Sequence, residues 1–230
     1  MKTIGILGGI SWTSTASYYR LLNEGVAKKA GGLHSAKIEM HSFDFDEIEK
    51  RQSSGRWDEL GVMLGEAAKG LKCAGADFLL IAANTMHKVA NEVETISGLP
   101  ILHIANATGE AIKKAGLKKV GLLGTRFTMG ETFYRERVEK NFGIDVLVPE
   151  KDAQQVVNSI IFDELCKGCI QDASNWACQL VIENLISRGA EGIVLACTEL
   201  PLLIKQSDVK VPIFDTVKIH TDAAVARALE

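Results

Sequence analysis

Apolar residues follow two rhythms along this chain. Short apolar runs recur at positions 3–8, 78–83, 98–104, 120–125, 144–149, 192–197 and 211–216, and residues 36–45 alternate, so each reads as a strand. Between them apolar positions return at helical spacing. Helices are expected from Tyr18 and Leu21 onward, over 57–74, through Met86, Val89 and Val93 with Asn84-Thr85 as the cap, up to about Lys114, through Tyr134 and Val138, over 156–165 and 174–187, and after Asp215 or Thr216 as the cap. Strands alternating with helices define an α/β protein with mainly parallel sheets. Four of the strand runs stop abruptly at small and polar residues: Gly8-Gly9-Ile10-Ser11, Ala83-Asn84-Thr85-Met86-His87, Thr125-Arg126-Phe127-Thr128 and Ala196-Cys197-Thr198-Glu199. Ligands of open parallel sheets bind at such carboxyl ends, where following helices aim their N–H groups. A thiol placed there, as at Cys197, is expected to tend toward the thiolate.

The order of these stretches repeats. Ile4-Gly5-Ile6-Leu7-Gly8-Gly9 precedes the Ala83 strand much as Val120-Gly121-Leu122-Leu123-Gly124-Thr125 precedes the Cys197 strand, at nearly equal intervals. Two pseudo-symmetric α/β halves follow, with an active site expected in the cleft between them. The first half takes residues 1–104 and 208–230, and the second takes 105–207. No linker or low-complexity block separates them.

Composition narrows the function. Hydrophobic residues make up 47% of 230 and prolines number four, as in a compact, core-forming chain, while a net charge of −3 favours neither nucleic acid nor an anionic membrane. No apolar run approaches the roughly 18 residues that span a bilayer, and the opening moves straight into a strand rather than a signal peptide. A cytoplasmic location is therefore expected. Five cysteines without disulfide spacing fit a reducing compartment. Cys166-Lys167-Gly168-Cys169 is formally a C-x-x-C pair, but no second pair completes a zinc site, so no metal is expected. Cys73 and Cys178 read as packing residues.

Several polar residues could meet a ligand. Gly8-Gly9 followed by Ser and Thr suits an anion, although the dinucleotide pattern G-x-G-x-x-G is absent; a loop that merely turns is the alternative. Arg51 and Gln52 could greet a polar substrate, and the guanidinium and hydroxyls of residues 125–128 suit a carboxylate. His87 reads more simply as a structural histidine than a catalytic one.

Gly5-Ile6-Leu7-Gly8-Gly9, Asn84-Thr85-Met86-His87, Gly121-Leu122-Leu123-Gly124-Thr125 and Cys197-Thr198-Glu199, in this order, resemble the aspartate/glutamate racemase family over essentially the whole chain. The resemblance implies a cofactor-independent racemase of acidic amino acids, commonly a homodimer. Inverting an α-carbon without pyridoxal or metal takes a base on one face, an acid on the other, and donors for the developing enediolate. In the family two cysteines supply that pair. Cys197 matches the second, whereas the first falls on Ala83, which carries no exchangeable proton. The resemblance further places Asn84, Thr85, Thr198 and Glu199 around the α-amino and α-carboxylate groups, with Ile10 and Gln52 lining the pocket. Glu199 suits an ammonium, or equally the first turn of a helix. Near Asp163-Glu164, where some members place a cation for the distal carboxylate, this chain is acidic.

Ala83 limits what the resemblance carries over. A general acid or base contributes roughly 10² to 10⁴ in rate, about 3 to 5 kcal/mol of barrier, so two-base racemisation should be impaired. Some family members place threonine at the first position. Two further readings remain: a single-cysteine decarboxylase or isomerase of the same superfamily, and a non-catalytic amino-acid-binding protein.

Overall fold

The structure, a computed structural model, describes all 230 residues. The chain forms two compact units, Met1–Ile104 with His220–Glu230, and Ala105–Ile219.

The first unit holds β1 (Ile4–Gly8), α1 (Trp12–Ala30), β2 (Ile38–Ser42), α2 (Phe45–Ser53), α3 (Trp57–Cys73), β3 (Phe78–Ile81), a 3₁₀ turn at Thr85–Val89 and α4 (Ala90–Ser97). Its sheet is parallel in the order β2-β1-β3. Strands β1 and β3 are buried along their whole length, while β2, at the edge, is largely exposed. Helix α3 shows why the pattern was readable. Leu60, Leu64, Ala68 and Leu71 recur at helical spacing and are buried against Leu7, Leu79 and Ile81, while Lys69 and Lys72 face water. Each buried leucine contributes about 1.5 to 3 kcal/mol. Cys73, expected to pack, is instead exposed at the end of this helix.

The second unit runs through α5 (Ile104–Lys114), β4 (Lys119–Gly124), α6 (Arg126–Gly130), α7 (Thr132–Phe142), β5 (Asp145–Leu147), α8 (Lys151–Ser159), α9 (Asp172–Ser187), β6 (Ile193–Ala196), α10 (Leu200–Leu203) and β7 (Ile213–Asp215), and α11 (Thr216–Leu229) starts in it but lies from His220 onward in the first unit. All of its strand pairs are parallel, in the order β5-β4-β6-β7. The order β5-β4-β6 repeats the order β2-β1-β3. Helix α8 continues into a π-helical turn at Ile160–Glu164 and a 3₁₀ turn at Leu165–Lys167. The core gathers Leu123, Val157, Ile182, Leu185, Ile193 and Leu195. Cys178 is fully buried within it.

Several local expectations change. β3 ends at Ile81 rather than 83, because after Ala82 N–H bonds to the Leu7 carbonyl at 2.9 Å the backbone bends away. Asn84 does not cap a helix through its side chain; its own backbone is already helical and a 3₁₀ turn follows. The expected strand at 98–104 reduces to one bridge between Leu79 and Ile101. The sequence boundary at 207/208 precedes β7, but β7 pairs with β6, so the chain stays in the second unit until Ile219. Of the two candidate caps for α11, Asp215 accepts from Val217 and Lys218 N–H, while the Thr216 hydroxyl donates to the Leu195 carbonyl at 2.9 Å.

Three histidines of the first unit pack around the end of β3. The Nε2 of His220 lies 2.7 Å from the Leu102 carbonyl and therefore donates, which leaves Nδ1 to accept from the Tyr18 hydroxyl at 2.8 Å. His87 Nδ1 donates to the Ala83 carbonyl at 2.8 Å, and its Nε2 accepts from Ile104 N–H at 3.2 Å. The His87 ring lies against His103 at 4.5 Å, tilted by 57°, and stands edge-on to His220 at 5.7 Å. Both rings are thus neutral with fixed tautomers. Burial pushes His220 down to about 4, and burial aided by the neighbouring histidines holds His87 well below its ordinary value. As pH falls below about 6.5 the unfolded chain takes up protons that these folded rings refuse, so stability declines as pH approaches 4, by up to about 1.4 kcal/mol per pH unit for each ring. Urea unfolding at stepped pH should show this loss between about 6.5 and 4, and His220→Gln, which keeps a donor and an acceptor without a titrating group, should remove its share and leave that of His87.

Candidate active site

The strand ends place the candidate residues. Leu7 is level with Ile81 and Gly124 with Ala196, so Gly8 stands level with Ala82. Ala83 and Cys197 therefore occupy matching places in the two units, one residue beyond the partner of a strand-ending glycine. Gly124 is needed for this: a Cβ there would sit 2.8 Å from the Ala196 carbonyl oxygen.

In the first unit Ile10, Ala83 and Met86 share one hydrophobic cluster. Gln52, buried on α2, donates from Nε2 to the Met86 sulfur at 2.9 Å, which fixes α2 against the turn after Ala83. Asn84 and Thr85 are buried at the start of that turn. The Ala83 carbonyl ahead of it is held by His87, which spends both ring nitrogens on backbone. Arg51 faces away into carboxylates, 3.8 Å from Glu47 and 3.5 Å from Glu59, and so does not join this group.

The Gly8-Gly9 loop has a structural explanation. Gly9 has φ +81°, and a Cβ on it would lie 2.1 Å from the Phe43 carbonyl oxygen. Its N–H, which an anion would have needed, donates to the Thr15 hydroxyl at 2.8 Å. The glycine admits the neighbouring chain and the amide is already occupied. Ser11 precedes α1 without a side-chain cap.

In the second unit the carboxylate of Glu199 joins the candidates. Its Oε2 accepts from the Cys197 thiol at 3.1 Å and from the Thr198 hydroxyl at 2.5 Å. Cys197 and Glu199 are both buried, 6% and 5% exposed. Burial, then the charge of Glu199, raises Cys197 well above the ordinary thiol range. The expected tendency toward thiolate is thus reversed. The helix that should have favoured the anion, α10, has only four residues, whereas the carboxylate is in contact. Cys197 rests as a protonated thiol whose hydrogen points at a base.

A second thiol missed in the sequence is Cys166. It is partly buried against the Cys197 cluster, and burial followed by the charge of Glu199 raises it to about 12. Only its C-x-x-C spacing drew notice, and its neighbour Cys169 is exposed. Glu164, in the acidic stretch, accepts from Ser174 at 2.6 Å. No group of three or more His, Cys, Asp or Glu is placed to hold a metal ion, and no helix is long and apolar enough to cross a membrane.

Two α/β units with parallel sheets, each presenting a small or thiol residue just beyond a matched strand end, define a two-domain racemase fold. Residues 7–224 match the Asp/Glu/Hydantoin racemase family, and the chain belongs to it. A broad specificity amino-acid racemase of Bacillus subtilis is 30% identical over 160 residues, covering 69% of this chain and 68% of that protein. Two crystal structures match all of this chain and all of their own: a Yersinia pestis protein provisionally assigned as an Asp/Glu racemase, 48% identical with a TM-score of 0.95, and an aspartate racemase homologue from Pyrococcus horikoshii, 37% identical with a TM-score of 0.86.

The carboxylate contact makes a definite prediction. Replacing Glu199 by Gln removes a negative charge beside the sulfur, so the Cys197 thiol should titrate at lower pH. The pH dependence of Cys197 alkylation by iodoacetamide, located by mass spectrometry, should shift downward in Glu199→Gln and stay put in a control variant at exposed Glu183.

Proposed function

We propose that this chain moves the α-proton of an acidic amino acid, or a close relative, through the Cys197 thiol, and that Ala83 keeps inversion slow. The observation that most supports this is the buried thiol donating to Glu199 at 3.1 Å. In one direction the thiolate removes the α-proton: the C–H bond breaks, an S–H bond forms, and the electron pair passes into the substrate carboxylate as an enediolate. In the other direction the thiol returns its proton to carbon. Glu199 is the acceptor that takes the thiol proton as the thiolate forms, a role beyond the ammonium contact expected from sequence.

Asn84, Thr85 and Thr198 offer the polar groups that hold the α-carboxylate and amino groups, and Ile10 and Gln52 shape the surroundings. The chemistry calls for neither pyridoxal nor metal. The same reading makes the protein a homodimer. Ala83 stands where an opposing acid or base belongs, and its methyl can neither give nor take a proton. The loss is roughly 10² to 10⁴ in rate. Breadth of substrate among relatives supports testing amino acids beyond aspartate and glutamate, since the Bacillus subtilis protein carries a broad-specificity description.

Incubation with each enantiomer in D₂O separates proton exchange from inversion. The α-proton NMR signal of one enantiomer, the L form by family analogy, should disappear while circular dichroism changes little. The rate should rise with pH as the thiolate forms. Ala83→Cys and Ala83→Thr should raise inversion about 10²-fold or more, and Cys197→Ala should abolish exchange in every background. Failure of both restorations, with amino acids still bound, would turn the assignment to a binding protein.

A further inference from the structure

Strand β3 makes its last ladder bond at Ala82, whose N–H donates to the Leu7 carbonyl, and the chain then leaves the sheet carrying Ala83, Asn84 and Thr85. Buried carbonyls beyond the sheet need other partners. His87 supplies two: its backbone N–H donates to the Asn84 carbonyl at 3.1 Å, and its Nδ1 donates to the Ala83 carbonyl at 2.8 Å. One residue thus closes the chain around Asn84 and Thr85 twice, through its main chain and through its ring. We infer that His87 is a positioning residue of the amino-acid site, holding Asn84 and Thr85 where they receive the α-carboxylate and amino groups of the substrate. The inference rests on the proposed function, which assigns those two residues to the substrate.

The ring is fully committed. Its Nε2 accepts from the Ile104 N–H at 3.2 Å while Nδ1 faces a carbonyl, so only a neutral ring protonated at Nδ1 fits both partners. A ring used in this way does not take a proton from the substrate; it acts through the turn it holds. It is buried, and His103 and His220 pack against it at 4.5 and 5.7 Å. From the far side Gln52 donates to the Met86 sulfur at 2.9 Å, so the buried Asn84 and Thr85 lie in a turn with two side-chain anchors. The nitrogens of His220 go elsewhere, to Tyr18 and Leu102, and His34 and His41 are exposed. Polar groups that hold a small molecule work only when supported to within roughly 0.5 Å, and a misplacement of about 1 Å can cost 10²-fold.

Two substitutions separate the two ring bonds. In His87→Asn the amide nitrogen takes the place of Nδ1 and keeps the Ala83 carbonyl, whereas in His87→Gln the longer side chain puts its oxygen in the place of Nε2 and keeps the Ile104 N–H instead. Each variant loses one bond and the ring contacts, so both should melt at similar temperatures. Affinity is read twice, as KM for α-proton exchange of L-aspartate in D₂O and as Kd from isothermal titration with L-aspartate. His87→Gln should raise both about tenfold or more and move the saturating exchange rate far less, while His87→Asn should stay within about threefold of the unaltered chain. Nitrogen NMR of the unaltered chain at neutral pH needs no variant: His87 should appear as a neutral ring protonated at Nδ1.

Equal affinity in all three proteins would overturn the inference. So would equal loss in both variants at matched melting temperatures, which reduces His87 to a packing residue, or an imidazolium or Nε2-protonated ring in the NMR spectrum. Binding in the expected order without any exchange would instead sink proton transfer at Cys197 and leave the positioning role standing. No binding of L-aspartate by the unaltered chain below about 10 mM, already a weak association, would remove both.

Discussion

The parallel ladder between β4 and β6 is the constraint on which the second unit depends. It sets Gly124 level with Ala196, and only a residue without a side chain tolerates the Ala196 carbonyl that close. The Thr216 hydroxyl bonds to the Leu195 carbonyl from the other side, so the end of β6 is held from both flanks. Cys197 is then delivered to one place with little freedom to move. A side chain held by main chain just beyond a buried strand end has the preorganisation that the proposed proton transfer needs.

That placement has an electrostatic consequence. A thiol surrounded by Leu200, Leu203 and Ile204 loses the solvation that would stabilise its anion, and the neighbouring carboxylate adds repulsion. The same carboxylate is a proton acceptor within hydrogen-bond reach. Glu199 thus acts in two ways at once: its charge disfavours the thiolate, and its oxygen gives the thiol a hydrogen-bond acceptor. A cation brought beside Glu199 would relieve the repulsion and make the thiolate more accessible.

Much of this was legible because it is local. The spacing of Leu60, Leu64, Ala68 and Leu71 fixes the buried face of α3, and the repeated strand-glycine pattern announces a repeated sheet. Ala83 and Cys197 stand where two apolar runs stop, and the role expected of position 83 came from the family resemblance. What escaped depends on partners distant in sequence or on competition between neighbours. Thr15 occupying the Gly9 amide, Phe43 crowding the same glycine, and Gln52 reaching Met86 leave no periodic trace. The protonation of Cys197 was misread because strand-end logic assumes a long following helix, whereas α10 is one turn and a carboxylate two residues away outweighs it. Asn84 failed as a cap for a similar reason: its composition suited the role, but the chain was already turning in a 3₁₀ conformation.

Ala83 can be understood from its surroundings as well as from what it lacks. Its methyl packs with Ile10 and Met86, and it is 9% exposed. A hydroxyl or thiolate at this position would be partly desolvated, and an unpaired buried polar group costs about 1 to 3 kcal/mol. The loop around it is already tightly bonded, with the residue's own carbonyl committed to His87 and Gln52 committed to Met86. An acid or base at 83 must therefore draw on substrate groups to be satisfied, which is the condition of a site whose polar atoms are complete only when occupied. Alanine removes that demand. On the proposed reading the first unit keeps an apolar contact in place of a proton-transfer group, the trade expected where activity requires a destabilised residue and stability does not.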